Sequence, residues 1–360
     1  METACRINHD RFNLSVGLFF RHPDETNLYR EALEARGVEV VPLVSESKFS
    51  RAMIKNTIEV IKRQNIHIIH SHDYKTDILT AIISRYVDIP IMTTAHGWIT
   101  NHLKSKIYTW AGKKSFKYFD KVIAVSPKIR AEVARHGVSD DKLVLIYNAI
   151  VAENYQPGEH SPGYLRTRFG IPADHKIIGN IGRISPEKGQ LDFIKAAAIL
   201  LEQCQDLSFV LTGDGPDKAR AENLVKQLGI ENAVHFTGHE KDVRPIFRDM
   251  DLFALTSYTE GFPNVVLESL CMDVPVLATD VGGTGDIITD QETGILIPSG
   301  QPDQIAAGLS FLLDNPQKAI QLTRAGKDKL MKYYEFAIRV NKIENLYEQV
   351  LEQHTRGQAK

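Results

Sequence analysis

Glu260 and Glu268, eight positions apart, are the residues of this chain best placed to do chemistry. Gly261 and Pro263 stand beside the first, and the apolar Val265, Val266 and Leu267 lead to the second. Pro263 suits the first turn of a helix, where no backbone N–H is needed and the ring already holds a helical φ. Glu260 is then expected in a loop and Glu268 inside the helix. The preceding run DLFAL, Asp251 to Leu255, has strand length, so the unit reads strand, loop, helix. In an open parallel sheet that carboxyl edge is where ligands bind. A helix start there offers free N–H groups, from about Asn264 and Val265, and the positive end of the helix dipole, which together suit a phosphate. Carboxylates accept hydrogen bonds, so Glu260 can hold the hydroxyls of a sugar and Glu268 those of a ribose. Equally, the two residues can serve as a helix cap and a solvated helix-face residue.

The run EGFPNVVLE, followed by a small or polar turn and PVLATDVGG, resembles the signature of the family-4 retaining glycosyltransferases. The resemblance implies the α/β GT-B fold, two Rossmann-like domains facing across a cleft. It also implies transfer of a sugar from a nucleotide diphosphate sugar to an acceptor hydroxyl with retention. The acceptor class would be a glycan or a lipid-linked sugar, and neither a cofactor nor a metal is expected. No residue stands out as a covalent nucleophile, so a front-face substitution is the expectation.

Other motifs fall into place around this one. IGRISPEKG carries Gly182, Arg183 and Lys188; a planar guanidinium and a point-charge ammonium can together neutralise a departing diphosphate, the role the family gives them. GDGP begins at Gly213 and by itself is only a turn; in the family it borders the nucleotide pocket, with the following VHFTGH against the base, which makes Phe236 and Thr237 base-side candidates. Phe262 and Gly261 would line the donor site with the residues already named. In TTAHGW, His96 ends a strand and matches the family's histidine near the transferred sugar. Family members often have Glu where this chain has Asp286. His70 and His72 share one face of a strand but lack an evident third ligand, and Asp249 and Asp251 sit at the start of a strand instead of its end, so neither pair reads as a metal site.

Strand signals at Asn13 to Phe20, Val38 to Val44, His67 to His70, Ile91 to Thr94, Lys121 to Val125 and Leu143 to Tyr147 alternate with amphipathic segments, the pattern of a parallel sheet with helices on both faces. Residues 1–160 are expected to form the acceptor domain, 161–334 a second Rossmann-like donor domain, and 335–360 a helix crossing back to the first domain, disordered from His354. The stretch Ala149 to Phe169, with two prolines and two glycines, reads as the linker. Family members usually open with a strand, a glycine-rich loop and a helix before a segment like RFNLSVGLFF. Only Met1 to Asp10 precede that segment here, so the N-terminal domain is expected to lack its usual first strand, leaving a gap in its sheet.

Residues 101–121 hold six lysines among Ile107, Tyr108, Trp110, Phe116, Tyr118 and Phe119, against the single acid Asp120. A basic amphipathic helix of this kind reads either as a peripheral contact with anionic lipid or as a core helix with a solvated lysine face. With 360 residues, 43% hydrophobic and a net charge of −2, the chain has room for two cores and no global charge for nucleic acid. Three scattered cysteines give no disulfide or zinc framework, and no apolar run reaches membrane-spanning length, so a cytoplasmic setting is expected, with peripheral membrane contact through 101–121. Two rival readings remain: a GT-B nucleotide-sugar epimerase, and a nucleotide-sugar-binding subunit without catalysis.

Overall fold

The structure, a computed structural model, describes the chain apart from residues 23, 24, 26, 46–49, 98–102, 160, 359 and 360; of 103–108, 159 and 358 it describes the backbone alone. The chain forms two compact units, Met1–Tyr147 with Ala337–Lys360, and Asn148–Phe336. The first boundary thus falls after Tyr147 and not after residue 160. The expected linker is built into the second unit instead. Val151 and Ala152 are buried, and Asp249 accepts from the Gly163 and Leu165 N–H groups, each at 2.6 Å, pinning the helix Tyr164–Phe169. Ile150 bridges the far end of the unit, donating to the Tyr334 carbonyl and accepting from Phe336, both at 2.9 Å.

In the first unit the strands are β1 (Ser15–Phe20), β2 (Glu39–Val44), β3 (Ile69–Ser71), β4 (Ile91–Ala95), β5 (Lys121–Ala124) and β6 (Leu143–Leu145). They form two separate parallel sheets among the described residues, β1-β2 and β3-β4-β5-β6. The break lies where the sequence places the gap. The helix Arg51–Arg63 packs apolar residues across it: Met53 and Ile61 share one cluster with Phe19 and Leu43 of the small sheet and with Ile69 of the larger one. The last helix, Phe336–Gln358, returns to this unit and lays Ile343, Leu346, Tyr347 and Val350 against Met92 and Ile123. It runs through His354 to Gln358, where disorder was expected. An Arg356–Glu352 pair one turn apart and the Thr355 hydroxyl, which donates back to the Leu351 carbonyl at 3.0 Å, support that final stretch.

In the second unit β7 (Lys176–Ile181), β8 (Leu207–Thr212), β9 (Val234–Gly238), β10 (Leu252–Leu255), β11 (Val276–Thr279) and β12 (Ile295–Ile297) form one parallel sheet in the order β12-β11-β10-β7-β8-β9. Its strands are nearly continuous apolar runs, as a sheet covered by helices on both faces requires; all six residues of β8 are buried. The core joins Phe193 of the helix Gln190–Gln203 to Phe209 of β8, two rings whose complete burial contributes roughly 1.5–3 kcal/mol each.

Asp249 and Asp251 spend their oxygens on structure. The first caps the helix noted above, and the second accepts from the Ile177 N–H at 2.9 Å and pairs with Lys176. In residues 101–121 the helix Leu103–Ser115 leads into a single tight turn, and the aromatics divide by face. Phe116 and Phe119 are core residues, while Trp110 and Tyr118 are exposed. Lys113 is paired with Glu132 at 2.5 Å. Asn101 lies outside the described residues, as do the side chains of Lys104, Lys106, Ile107 and Tyr108.

Candidate active site

The order of the second sheet reverses direction between the neighbours β7 and β10, and ligands of open α/β sheets bind at such a reversal, beyond the carboxyl ends of the strands. Two loops leave from there, 182–189 after β7 and 256–263 after β10. They are fastened together: the Tyr258 N–H donates to the Glu187 carbonyl at 2.8 Å, and the Thr256 hydroxyl to the Lys188 carbonyl at 3.2 Å. Lys188 Nζ lies 2.6 Å from Glu260 Oε1, which also accepts from the Ser257 hydroxyl at 2.6 Å. The Glu260 side chain is 8% exposed, so its charge is satisfied locally while Oε2 has no partner among the described residues. The backbone of Arg183 is held by Gln190 Nε2 on its carbonyl at 3.0 Å, whereas its guanidinium is exposed and has no partner among the described residues.

Glycines let these loops approach each other closely. A Cβ on Gly213, whose φ is +136°, would lie 2.0 Å from the Gly182 carbonyl oxygen, and the Gly213 N–H donates to the Gly238 carbonyl at 2.8 Å. The carboxyl ends of β7, β8 and β9 are thereby drawn together. Phe236 and Thr237 stand just before Gly238, but Phe236 packs on the core and the Thr237 hydroxyl is spent on the Gly238 carbonyl at 2.9 Å. Gly282, with φ +61°, passes so near that a Cβ would lie 1.8 Å from the Glu260 carbonyl oxygen.

The helix Asn264–Cys271 starts one residue later than expected, with Pro263 as its extended cap (φ −78°, ψ 103°) instead of its first helical residue. Asn264 and Val265 therefore supply the leading N–H groups, ahead of the Val266 bond to the Pro263 carbonyl at 3.2 Å. Phe262, expected at the donor, turns its ring inward: it is 6% exposed and packs on Tyr334 at 5.4 Å between centroids. Gly261 accepts from the Gly283 N–H at 3.0 Å. One turn into the helix, Glu268 accepts from the Tyr155 hydroxyl at 3.1 Å; burial raises its pKa, and that hydrogen bond offsets only part of the rise. Arg183, Lys188, Glu260, Asn264, Val265 and Glu268 thus all belong to the elements leaving β7 and β10. Tyr155 and Ser257 are contributors that sequence reasoning missed.

His96 belongs to the first unit, at the end of β4. It stands in a stack of three imidazoles: His70 and His72 have ring centroids 4.4 Å apart, and His72 Nδ1 is 3.5 Å from His96 Nε2. His70 is fixed at both nitrogens, by the Tyr347 hydroxyl at 2.7 Å and the Thr94 hydroxyl at 2.8 Å. A pocket of roughly 250 Å³ opens beside them, lined by His72, Asp77, Thr94 and His96. All three histidines are held below the usual imidazole range, first by desolvation; the Arg339 charge also contributes, although His72 and His96 still face solvent, which moderates the shift. Trp98, at the end of TTAHGW, lies outside the described residues.

Two protein families match this chain: Glycosyltransferase Family 4 over residues 11–154 and Glycosyl transferases group 1 over residues 165–329. The putative teichuronic acid biosynthesis glycosyltransferase TuaC of Bacillus subtilis is 29% identical over 259 residues, covering 69% of this chain and 62% of that protein. This chain therefore spans less than two thirds of that relative's length. The UDP-Gal:alpha-D-GlcNAc-diphosphoundecaprenol alpha-1,3-galactosyltransferase of Escherichia coli is 24% identical over 298 residues, 80% of this chain and 77% of that protein. In fold, the crystal structure of Anabaena HepE in complex with UDP superposes with a TM-score of 0.81 at 22% identity, covering 93% of this chain and 91% of that one. The family matches reach through both units, and the chain belongs to the group 1, family 4 glycosyltransferases with the GT-B fold.

Proposed function

We propose that this chain moves a sugar from a nucleotide diphosphate sugar to a hydroxyl of a glycan or lipid-linked acceptor, with retention of configuration and without a metal. The observation that carries the reading is the Lys188–Glu260 contact between the loops that leave the carboxyl ends of β7 and β10, with the exposed Arg183 on the first of those loops. In the reaction the bond from the sugar's anomeric carbon to the diphosphate breaks, the acceptor oxygen bonds to that carbon, and its proton leaves with the diphosphate. Arg183, Lys188 and the Asn264 helix start take up the negative charge that gathers on the leaving group, the electrostatic task a divalent cation performs elsewhere. Glu260 Oε2 accepts from the sugar's hydroxyls and Glu268 from the ribose. His96 serves the transferred sugar.

Two relatives lend support to the substrate classes. The Escherichia coli relative is named for a UDP-sugar donor and a diphosphoundecaprenol-linked acceptor, and Anabaena HepE is crystallised with UDP. A peripheral membrane contact through Trp110, Lys114, Lys117 and Tyr118 fits a lipid-linked acceptor.

Isothermal titration of the chain with UDP, GDP, ADP and their sugar conjugates, without added metal, tests the donor site. One nucleotide should bind, and Glu268→Ala and Arg183→Ala should abolish that binding. Proton NMR of the product's anomeric centre tests retention, which an inverted product would overturn. One rival reading, a nucleotide-sugar-binding subunit without catalysis, draws on the split sheet of the first unit. Binding without turnover on any lipid-linked or glycan acceptor would favour it.

A further inference from the structure

Tyr155 stands near the start of the second unit, in the stretch whose prolines and glycines read as a linker, and it is built into that unit. The single turn Ala152–Asn154 closes on it: the Tyr155 N–H donates to the Ala152 carbonyl at 3.0 Å, and Gln156 Nε2 donates to the same carbonyl at 3.2 Å. Arg244 Nη1 donates to the Asn154 carbonyl at 3.1 Å, while its Nε and Nη2 hold the two carboxylate oxygens of Asp242, each at 2.7 Å. A guanidinium clamped by a bidentate carboxylate thus fixes the residue next to Tyr155. From that support the partly buried Tyr155 ring sends its hydroxyl to Glu268 Oε1 at 3.1 Å, within the same unit.

That bond divides the work of the Glu268 carboxylate. Oε1 receives the phenol, and Oε2 has no partner among the described residues. A carboxylate turns easily about the last bond of its side chain, and a donor held on one oxygen stops that rotation. We infer that Tyr155 is a positioning residue for the ribose of the donor: by holding Oε1 it leaves Oε2 to accept from the ribose hydroxyls, and so makes the site prefer a nucleotide that carries them. The inference rests on the proposed reading of Glu268 as the ribose residue. A nucleotide without those hydroxyls would leave a charged oxygen unmatched, which is where the preference comes from. The same bond has an electrostatic side. Burial pushes the Glu268 carboxyl up and the Tyr155 hydroxyl works against that rise, so removing the hydroxyl takes the group further toward its protonated form.

The test is isothermal titration of the full chain, native and Tyr155→Phe, with UDP, GDP and ADP and with the 2′,3′-dideoxy analogue of each. For the nucleotide that binds, the native chain should favour the ribose form by about tenfold or more, the worth of hydrogen bonds to a charged group. Tyr155→Phe should weaken the ribose form by about fivefold and change the dideoxy form by no more than about twofold, so that the preference shrinks. The pH profile is the second readout. As acid is added, Tyr155→Phe should lose the ribose form at a higher pH than the native chain does, because the phenol no longer favours the carboxylate. A tyrosine that merely props the segment would weaken both forms alike and leave the profile in place, and that result overturns the inference. So does a native chain that binds ribose and dideoxy forms equally, whatever the variant does. A native chain that binds none of the nucleotides defeats the donor reading itself and the inference with it, so the two failures are told apart by the native chain alone.

Discussion

Lys188 Nζ and Glu260 Oε1, 72 residues apart in sequence, meet at 2.6 Å, each delivered by a loop from an adjacent strand of the second sheet. The pair does two things at once. It fixes a cation at the carboxyl edge of the sheet, and it orients a carboxylate whose second oxygen has no partner among the described residues.

Lys188→Ala should therefore lower turnover by about 10²–10³, the usual loss when one preorganised charge stabiliser is removed. Stability should fall much less, because Lys188 is 25% exposed and Ser257 still donates to Glu260. Arg183→Ala should behave likewise, with an even smaller stability effect, since its guanidinium makes no contact within the described residues. Steady-state rates beside urea unfolding curves decide the matter; turnover that survives either change removes the residue from the mechanism.

Gly282→Ala tests how tightly the loop around Glu260 is held. The new methyl would meet the Glu260 carbonyl at 1.8 Å from a backbone that favours glycine. The expected outcome is a stability loss of about 1–3 kcal/mol, with donor affinity down by a larger factor than in Gly137→Ala. Gly137 also has positive φ, but a Cβ there meets nothing within 4 Å. Similar donor affinity in the two variants would show that the glycine serves the turn alone.

How far these sites were legible depended on whether sequence spacing encodes the contact. The glutamate pair and the Arg183 and Lys188 loop follow from strand–loop–helix units whose spacing along the chain is local, whereas the switch between β7 and β10 shows only in the strand order of the folded sheet. Tyr155 reaches Glu268 across 113 residues. No local pattern announces such a bond, and its residue fell in a stretch whose prolines and glycines imitate a linker. Phe262 looked like a site residue by position, yet its ring is drawn into the unit by Tyr334.

The exposed face of residues 109–121 predicts membrane behaviour. Trp110 and Tyr118 stand out beside Lys114 and Lys117, and each lysine near an anionic surface contributes about 1 kcal/mol. Lys114→Glu with Lys117→Glu should abolish co-sedimentation with vesicles containing phosphatidylglycerol, while binding to neutral vesicles is weak for both chains. Native co-sedimentation that is indifferent to lipid charge would rule out an electrostatic contact.

Asp77 offers a prediction in pH. Its Oδ1 accepts from the hydroxyls of Ser71 and Thr93, each at 2.6 Å, yet burial outweighs these bonds and pushes the carboxyl up to about 7. The folded chain thus holds this proton more tightly than the unfolded one, whose carboxyl titrates near the ordinary value of 3.8. Between those two values the folded state binds more protons, so stability falls as pH rises; below the lower value the contribution is fully present, and above the upper one it is gone. The span corresponds to a loss on the order of a few kcal/mol. Asp77→Asn keeps an oxygen for both hydroxyls and cannot ionise. Urea unfolding across pH 5 to 8 should therefore show the native chain losing stability relative to Asp77→Asn. Parallel curves would mean that Asp77 stays charged in the fold, its burial relieved through the pocket it lines.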